Sequence, residues 1–166
     1  ALSCSLDLDA YCEKFRLTQN NLGVPIGCTR IGVHTGIATV GNFGSSARMD
    51  FTALGDTVNT AARTESVNKY FGTRLAATQE IVADCKGLFF LPIGDIVLKG
   101  KSVPVTLYNP VTENFYKSEF STRYLTCYKE LKKSNREVSV EKTNKIIDES
   151  HAGKSMIELS LDFPNQ

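Results

Sequence analysis

Asn59 and Arg63 stand four residues apart in the segment GDTVNTAARTES. On an α-helix that spacing puts both side chains on one face. An amide supplies directional hydrogen bonds, and a guanidinium supplies a charge that does not titrate away, so the pair suits a polyanionic ligand. Spacing alone favours a plainer alternative, a solvated polar face, because i,i+4 pairs of this kind are common. Val58, Ala61 and Ala62 can pack beneath in either case. The other groups give weaker signals. His34 and His151 are far apart, with no acid or cysteine cluster at ligand spacing, and His34 reads as a structural hydrogen-bonding residue. His151 to Ser155 ends like a phosphate-binding loop, but Asp148 stands where its first glycine should be, so it reads as a turn. Lys129, Lys132 and Lys133 read as a solvated helix face.

The elements that must position these groups follow from periodicity and breakers. Ala1 to Leu22 has a mainly helical period and ends at Gly23 and Pro25. Cys28 to Thr35 alternates as a strand, and Met49 to Leu54 is a second short strand. Gly36 and Gly41 to Gly44 mark turns or tight backbone approaches between them. Asp56 is a good N-cap for a helix that runs to Gly72. Thr73 to Ala77 is strand-like, and Thr78 caps a short helix to Cys85. Phe89 to Leu98 and Val103 to Asn109 are strands joined by a turn at Lys99-Gly100-Lys101. After Pro110 the composition shifts to Lys, Glu, Ser and Asn, with helical stretches at Phe120 to Lys133 and Val138 to Glu149. Two regions are therefore predicted: 1–111, a mixed α+β sandwich with a mostly antiparallel sheet, and 112–166, a helical tail or appendage.

Bulk properties narrow the function classes. The chain has 166 residues, 42% hydrophobic and 22% charged, as an ordinary globular protein does. A net charge of +1 gives no overall pull toward nucleic acid or anionic membrane. Five cysteines without CxxC spacing suggest neither a disulfide framework nor a zinc site, and point to reduced thiols in the cytosol. No apolar run approaches the ~18 residues that span a bilayer. The N-terminal stretch has no basic start and is not a signal peptide. It begins without Met, so the chain reads as a processed or excised piece.

The string RIGVHTG, followed by GNFGSSARMDFTALGDTVNTAARTE and then by LKGKSVPVTLY, resembles class III adenylate and guanylate cyclases in order and in spacing. The resemblance covers residues 1–111, and GDTVNTAAR is its most specific part. It implies a ferredoxin-like class III nucleotide cyclase sandwich, incomplete in lacking the first strands. It implies that Arg63 stabilises charge on the reacting phosphate, that Asn59 orients the ribose, and that Lys99 contacts the triphosphate. Thr52 falls where the family reads the purine. Guanylate-type members usually carry cysteine there and many adenylate-type members aspartate; threonine is similar to the bacterial-type adenylate subgroup. The implied reaction is attack of the ribose 3′-hydroxyl on the α-phosphate of ATP, giving cyclic AMP and pyrophosphate, with Mg²⁺ or Mn²⁺ as cofactor.

The same resemblance marks a departure. The family's metal-binding aspartates and purine-reading lysine belong to a strand and a hairpin expected upstream, so no metal ligand is assigned in this chain. Asp7 and Asp9 lie on the first helix, and Asp56 matches the helix cap. The implied partners are ATP and a second subunit, either a homodimer or another cyclase chain, with no nucleic acid and no membrane segment in this chain. The implied location is cytoplasmic, free or as the cytoplasmic part of a larger membrane-linked protein. Two other readings stay open: a non-catalytic cyclase-homology module that binds nucleotide or regulates a partner, and a guanylate cyclase.

Overall fold

The structure, a computed structural model, describes residues 1–133. In chain order its elements are α1 (Leu2–Asn21), β1 (Ile31–Val33), β2 (Thr39–Ser45), β3 (Arg48–Leu54), α2 (Asp56–Phe71), β4 (Leu75–Thr78), α3 (Gln79–Val82), β5 (Phe89–Ile96), β6 (Val105–Val111), α4 (Glu113–Tyr116) and α5 (Glu119–Lys133). Four strands form a mixed sheet in the order β1-β4-β6-β5. β1 and β4 run parallel, and the other two pairings are antiparallel. The expected α+β class is what the chain adopts. The predicted helix at Val138 to Glu149 and the turn at His151 to Ser155 lie outside the described residues.

α2 sits on the sheet because the sequence lets two backbones meet. A Cβ placed on Gly32 of β1 would lie 2.2 Å from the Glu65 nitrogen and 2.5 Å from the Ala61 oxygen. Any side chain there would push α2 off the strand. Asn68, fully buried, locks the same contact: its amide nitrogen donates to the Ile31 carbonyl at 3.0 Å, and its oxygen accepts from the Thr73 hydroxyl at 2.6 Å. The helix ends at Gly72 in the left-handed conformation, as the sequence suggested. Beneath it Val67 packs with Ala76, Ile93, Leu98 and Leu107. Burying such side chains removes about 25 cal/mol of unfavourable hydration per Å².

A second cluster of Leu91, Val111, Phe115, Phe120 and Tyr124 fastens α4 and α5 to the edge strand β5. The Tyr124 hydroxyl donates to the Pro92 carbonyl at 2.6 Å, beside the irregularity in the β5–β6 ladder. On the other side of the sheet order, α1 is tied to β4 by Arg74. Its guanidinium donates to both oxygens of Asp9, at 2.7 and 2.8 Å, and lies 4.0 Å from buried Glu13.

Four expectations need correction. Gly41 and Gly44 are not turns but part of β2, which pairs with β3 over seven register positions; the alternative expectation, a tight backbone approach, holds at Gly44, where a Cβ would lie 2.1 Å from the Arg48 carbonyl oxygen. Regular pairing with Arg48 to Leu54 overrides the poor strand propensity of glycine. The strand expected from Cys28 to Thr35 shortens to Ile31–Val33. Asp56 is the first helical residue rather than the cap. Gly55, at φ 145°, turns the chain from β3 into α2, and the Asp56 side chain makes no cap hydrogen bond. Likewise Thr78 stands at the cap position of α3, but it makes no cap bond and its hydroxyl lies against His34.

Candidate functional site

α2 carries Asp56, Asn59 and Arg63 at spacings of three and four, so one helical face presents all three. Asn59 is exposed and Arg63 half-buried. What half-buries Arg63 is the turn between β5 and β6. A Cβ on Gly100 would lie 3.5 Å from both terminal guanidinium nitrogens, so the head of Arg63 lies close to bare backbone. Gly100 has φ 75°, a conformation that other residues adopt only with strain. The structure thus brings Arg63, predicted from the helix, to the Lys99–Lys101 turn, predicted from a different part of the chain. Lys99 is exposed on that turn.

Lys101 is the residue that sequence reasoning missed. Its ammonium donates to the Asp56 carboxylate. Only charge complementarity between the two motifs could have suggested it. That hydrogen bond holds the Asp56 carboxyl below its usual range, helped by the charges of Arg63 and His34. His34 stands behind, with Nδ1 2.8 Å from the Thr78 hydroxyl and 3.8 Å from the Glu80 carboxylate. The structural role read for His34 is the one seen. Burial pushes the Glu80 carboxyl up, but hydrogen bonds from Thr78 and from its own backbone, with His34 and Lys101 nearby, bring it down overall.

Thr52 lies on the hairpin rather than at the α2–turn contact. It is exposed on β3, opposite Gly41 of β2. The hairpin and the start of α2 also expose Ile37, Val40, Met49, Phe51, Leu54 and Val58.

Among the described residues no three His, Cys, Asp or Glu side chains come together as a metal centre. Asp56 is engaged by Lys101, and Asp9 by Arg74. Carboxylates already held by cationic side chains do not fit a divalent cation. Among the described residues no helix is long and apolar enough to cross a membrane.

Comparison with known proteins agrees with the geometry. Residues 1–110 match the family "Adenylate and Guanylate cyclase catalytic domain". The chain is 41% identical over 112 residues to "Adenylate cyclase 1" of Rhizobium meliloti, covering 67% of this chain and 17% of that protein. It is 30% identical to "Adenylate cyclase" of Anabaena cylindrica over 61% of this chain and 21% of the relative. It therefore spans about a fifth of the length of these relatives. Among solved structures, the adenylyl cyclase CyaB from P. aeruginosa superimposes with a TM-score of 0.57 at 30% identity, over 68% of this chain and 58% of that one. A bacterial light-regulated adenylyl cyclase gives 0.50 at 28% identity, over 64% and 31%. A glycine that admits α2 to the sheet, an Asn–Arg face on that helix and a cationic turn against the arginine all fall within the matched span: the chain belongs to the family of adenylate and guanylate cyclase catalytic domains.

Proposed function

We propose that this domain works in an adenylate cyclase that converts ATP to 3′,5′-cyclic AMP and pyrophosphate, and that it supplies the Asn59–Arg63 half of a site shared between two subunits. The observation that carries the reading is the state of Arg63. It is backed by Gly100 of a two-lysine turn, beside Asn59; Asp56 feels its charge but is hydrogen-bonded to Lys101, and among the described residues no carboxylate lies within 4.0 Å of the Arg63 guanidinium. A cation held this way is available to charge that develops on a phosphate.

The chemistry is an internal displacement. The 3′-hydroxyl attacks the α-phosphate as the bond to the pyrophosphate oxygen breaks, and charge grows on the phosphoryl oxygens. Placed donors that meet this growing charge lower the barrier without reorganising. Arg63 takes that role, Asn59 holds the ribose so that its hydroxyl is in line, and Lys99 meets the triphosphate. Thr52 reads the purine, and its identity favours ATP over GTP. The Mg²⁺ or Mn²⁺ ions of the reaction are held by carboxylates other than those of residues 1–133. The exposed apolar hairpin supports a second subunit, because a patch of this kind is normally covered.

The lack of a metal cluster among the described residues favours one competing reading, a cyclase-homology module that binds nucleotide without turning it over. One assay separates the two. The chain is mixed with a cyclase subunit that keeps its metal carboxylates but has lost its own arginine, and cyclic AMP is measured from ATP with Mn²⁺. Activity that appears on mixing and vanishes with Arg63→Ala supports the shared site. Nucleotide binding without cyclic AMP supports the module.

A further inference from the structure

The head of α2 carries an acid that the proposed reaction does not use. We infer that Asp56 is a positioning residue: through Lys101 it tethers the β5–β6 turn to α2 and so holds Arg63 and Lys99 on one surface. The inference rests on the cyclase reading for its effect on rate, but not for its effect on Arg63.

The turn has one firm limb and one weak one. On the incoming side Leu98 is 3% exposed and packs in the core with Val67. The Lys101 amide closes the turn by donating to the Leu98 carbonyl at 2.9 Å. On the outgoing side Ser102, Val103 and Pro104 are all exposed, and regular pairing resumes only at Val105. Between them, among the described residues, the Lys101–Asp56 pair is the side-chain hydrogen bond that attaches the turn. The Asp56 side chain is 71% exposed, so the pair adds little to stability. Its consequence is geometric.

That geometry matters because α2 holds both ends of the arrangement. Asp56 opens the helix and draws the turn in; Arg63, two turns later on the same face, meets Gly100 of that turn. With the tether intact, the backbone at Gly100 bounds the guanidinium on one side. Without it the turn can swing away, and Arg63 gains rotamers in which it no longer faces the site. Lys99, on the other side of Gly100, moves with the turn. Lys101 is then an anchor rather than a second phosphate ligand, which divides the labour between the two lysines. Placement errors of about 1 Å at a reacting centre are enough to slow catalysis substantially.

The test uses the whole chain and two readouts. The first is the heteronuclear NOE of the Arg63 Nε–Hε resonance, assigned by its loss in Arg63→Ala. It should report a restrained side chain in the parent and in Asp56→Glu, and a freely moving one in Asp56→Asn and in Lys101→Met. The second is cyclic AMP formation with the complementing subunit. Asp56→Asn should lower kcat about tenfold and change KM for ATP less than twofold, and Asp56→Glu should restore most of the rate. Lys101→Met should cost nothing further once Asp56→Asn is in place. An unchanged Arg63 resonance in Asp56→Asn overturns the proposal. So does an additive loss from Lys101→Met with a raised KM, because that outcome makes Lys101 a nucleotide ligand. If the parent makes no cyclic AMP in any mixture, the cyclase reading fails while the Arg63 resonance still decides the tether.

Discussion

Arg63 and Arg74 lie close in sequence and do opposite things. Arg74 stands just before β4 with its side chain 10% exposed, grips Asp9 through two hydrogen bonds and reaches toward Glu13. Arg63 lies on α2 against the backbone of Gly100, with no carboxylate among the described residues paired to it. The first guanidinium is neutralised and belongs to the fold. The second has been brought to the surface, flanked, and left with its charge available. The difference teaches that burial and partners, rather than residue type, separate a structural arginine from one available to the ligand proposed above. A buried charge must be paired, and once paired it has little left to offer.

Removing each arginine should therefore damage a different property. Arg74→Ala leaves the part-buried Asp9 carboxylate without its cation, while Glu13 keeps Arg16, and the loss should be about 1–3 kcal/mol. Urea unfolding should show that loss, with α1 the first element to lose amide protection. Arg63→Ala, at a half-buried side chain with no ion pair to lose, should cost less than about 1 kcal/mol of stability. In the mixed-subunit assay it should lower the rate at least ~100-fold, about 2.7 kcal/mol of barrier. The comparison breaks if Arg63→Ala unfolds the chain or if Arg74→Ala spares it. A smaller effect belongs to the far edge of the sheet. Tyr124→Phe removes the hydrogen bond to Pro92 and should cost about 1 kcal/mol. Burial pushes the Tyr124 hydroxyl above its usual value, with Tyr128 adding to it. The parent is thus destabilised as pH rises past about 10, where the unfolded tyrosine ionises first. Tyr124→Phe should flatten that alkaline limb.

The sequence revealed the two arginines unequally, and the reason is range. Arg63 has its proposed partner, Asn59, four residues away on the same helix, and helical geometry alone joins them. Arg74 has its partners on α1, far back in the chain, so nothing local marks it. The same rule explains the fold. α2 was legible because its start after Gly55 and its stop at Gly72 are local, but its buried face was not: Thr60, Thr64, Val67 and Asn68 are buried, whereas Val58 and Ala62, expected to pack beneath, are exposed. β2 was not legible, because its glycines signal turns until β3 lies beside them. Gly32 could be seen as a tight approach only by knowing that Glu65 passes over it. The Gly100 contact and the Lys101 tether each join motifs separated by strand, helix and sheet, and three-dimensional structure was needed to unite them. Most of the fold was therefore readable as elements and little of it as contacts.

The smallest effect gives the finest test of the same contrast, because it concerns the acids rather than the arginines. Glu13 and Asp56 both titrate below their ordinary values of 4.5 and 3.8, each chiefly through a hydrogen bond from a cation, Arg16 for Glu13 and Lys101 for Asp56. The Glu13 side chain is 4% exposed and that of Asp56 is 71% exposed. A lowered carboxyl stabilises the fold above its ordinary value, and that contribution is lost as pH falls through the lowered one. Glu13 should therefore supply part of the acid limb of the stability curve, starting near pH 4.5, and Glu13→Gln should flatten it. Salt separates the two acids. Exposed charges are screened within ~3 Å at 1 M salt, whereas buried pairs are screened much less. A carboxyl-carbon NMR titration at low and at high salt should move Asp56 back toward its ordinary value and leave Glu13 where it was. If both move together, the Arg74 cluster is as open to solvent as the α2 face, and the division between a structural and a functional arginine fails with it.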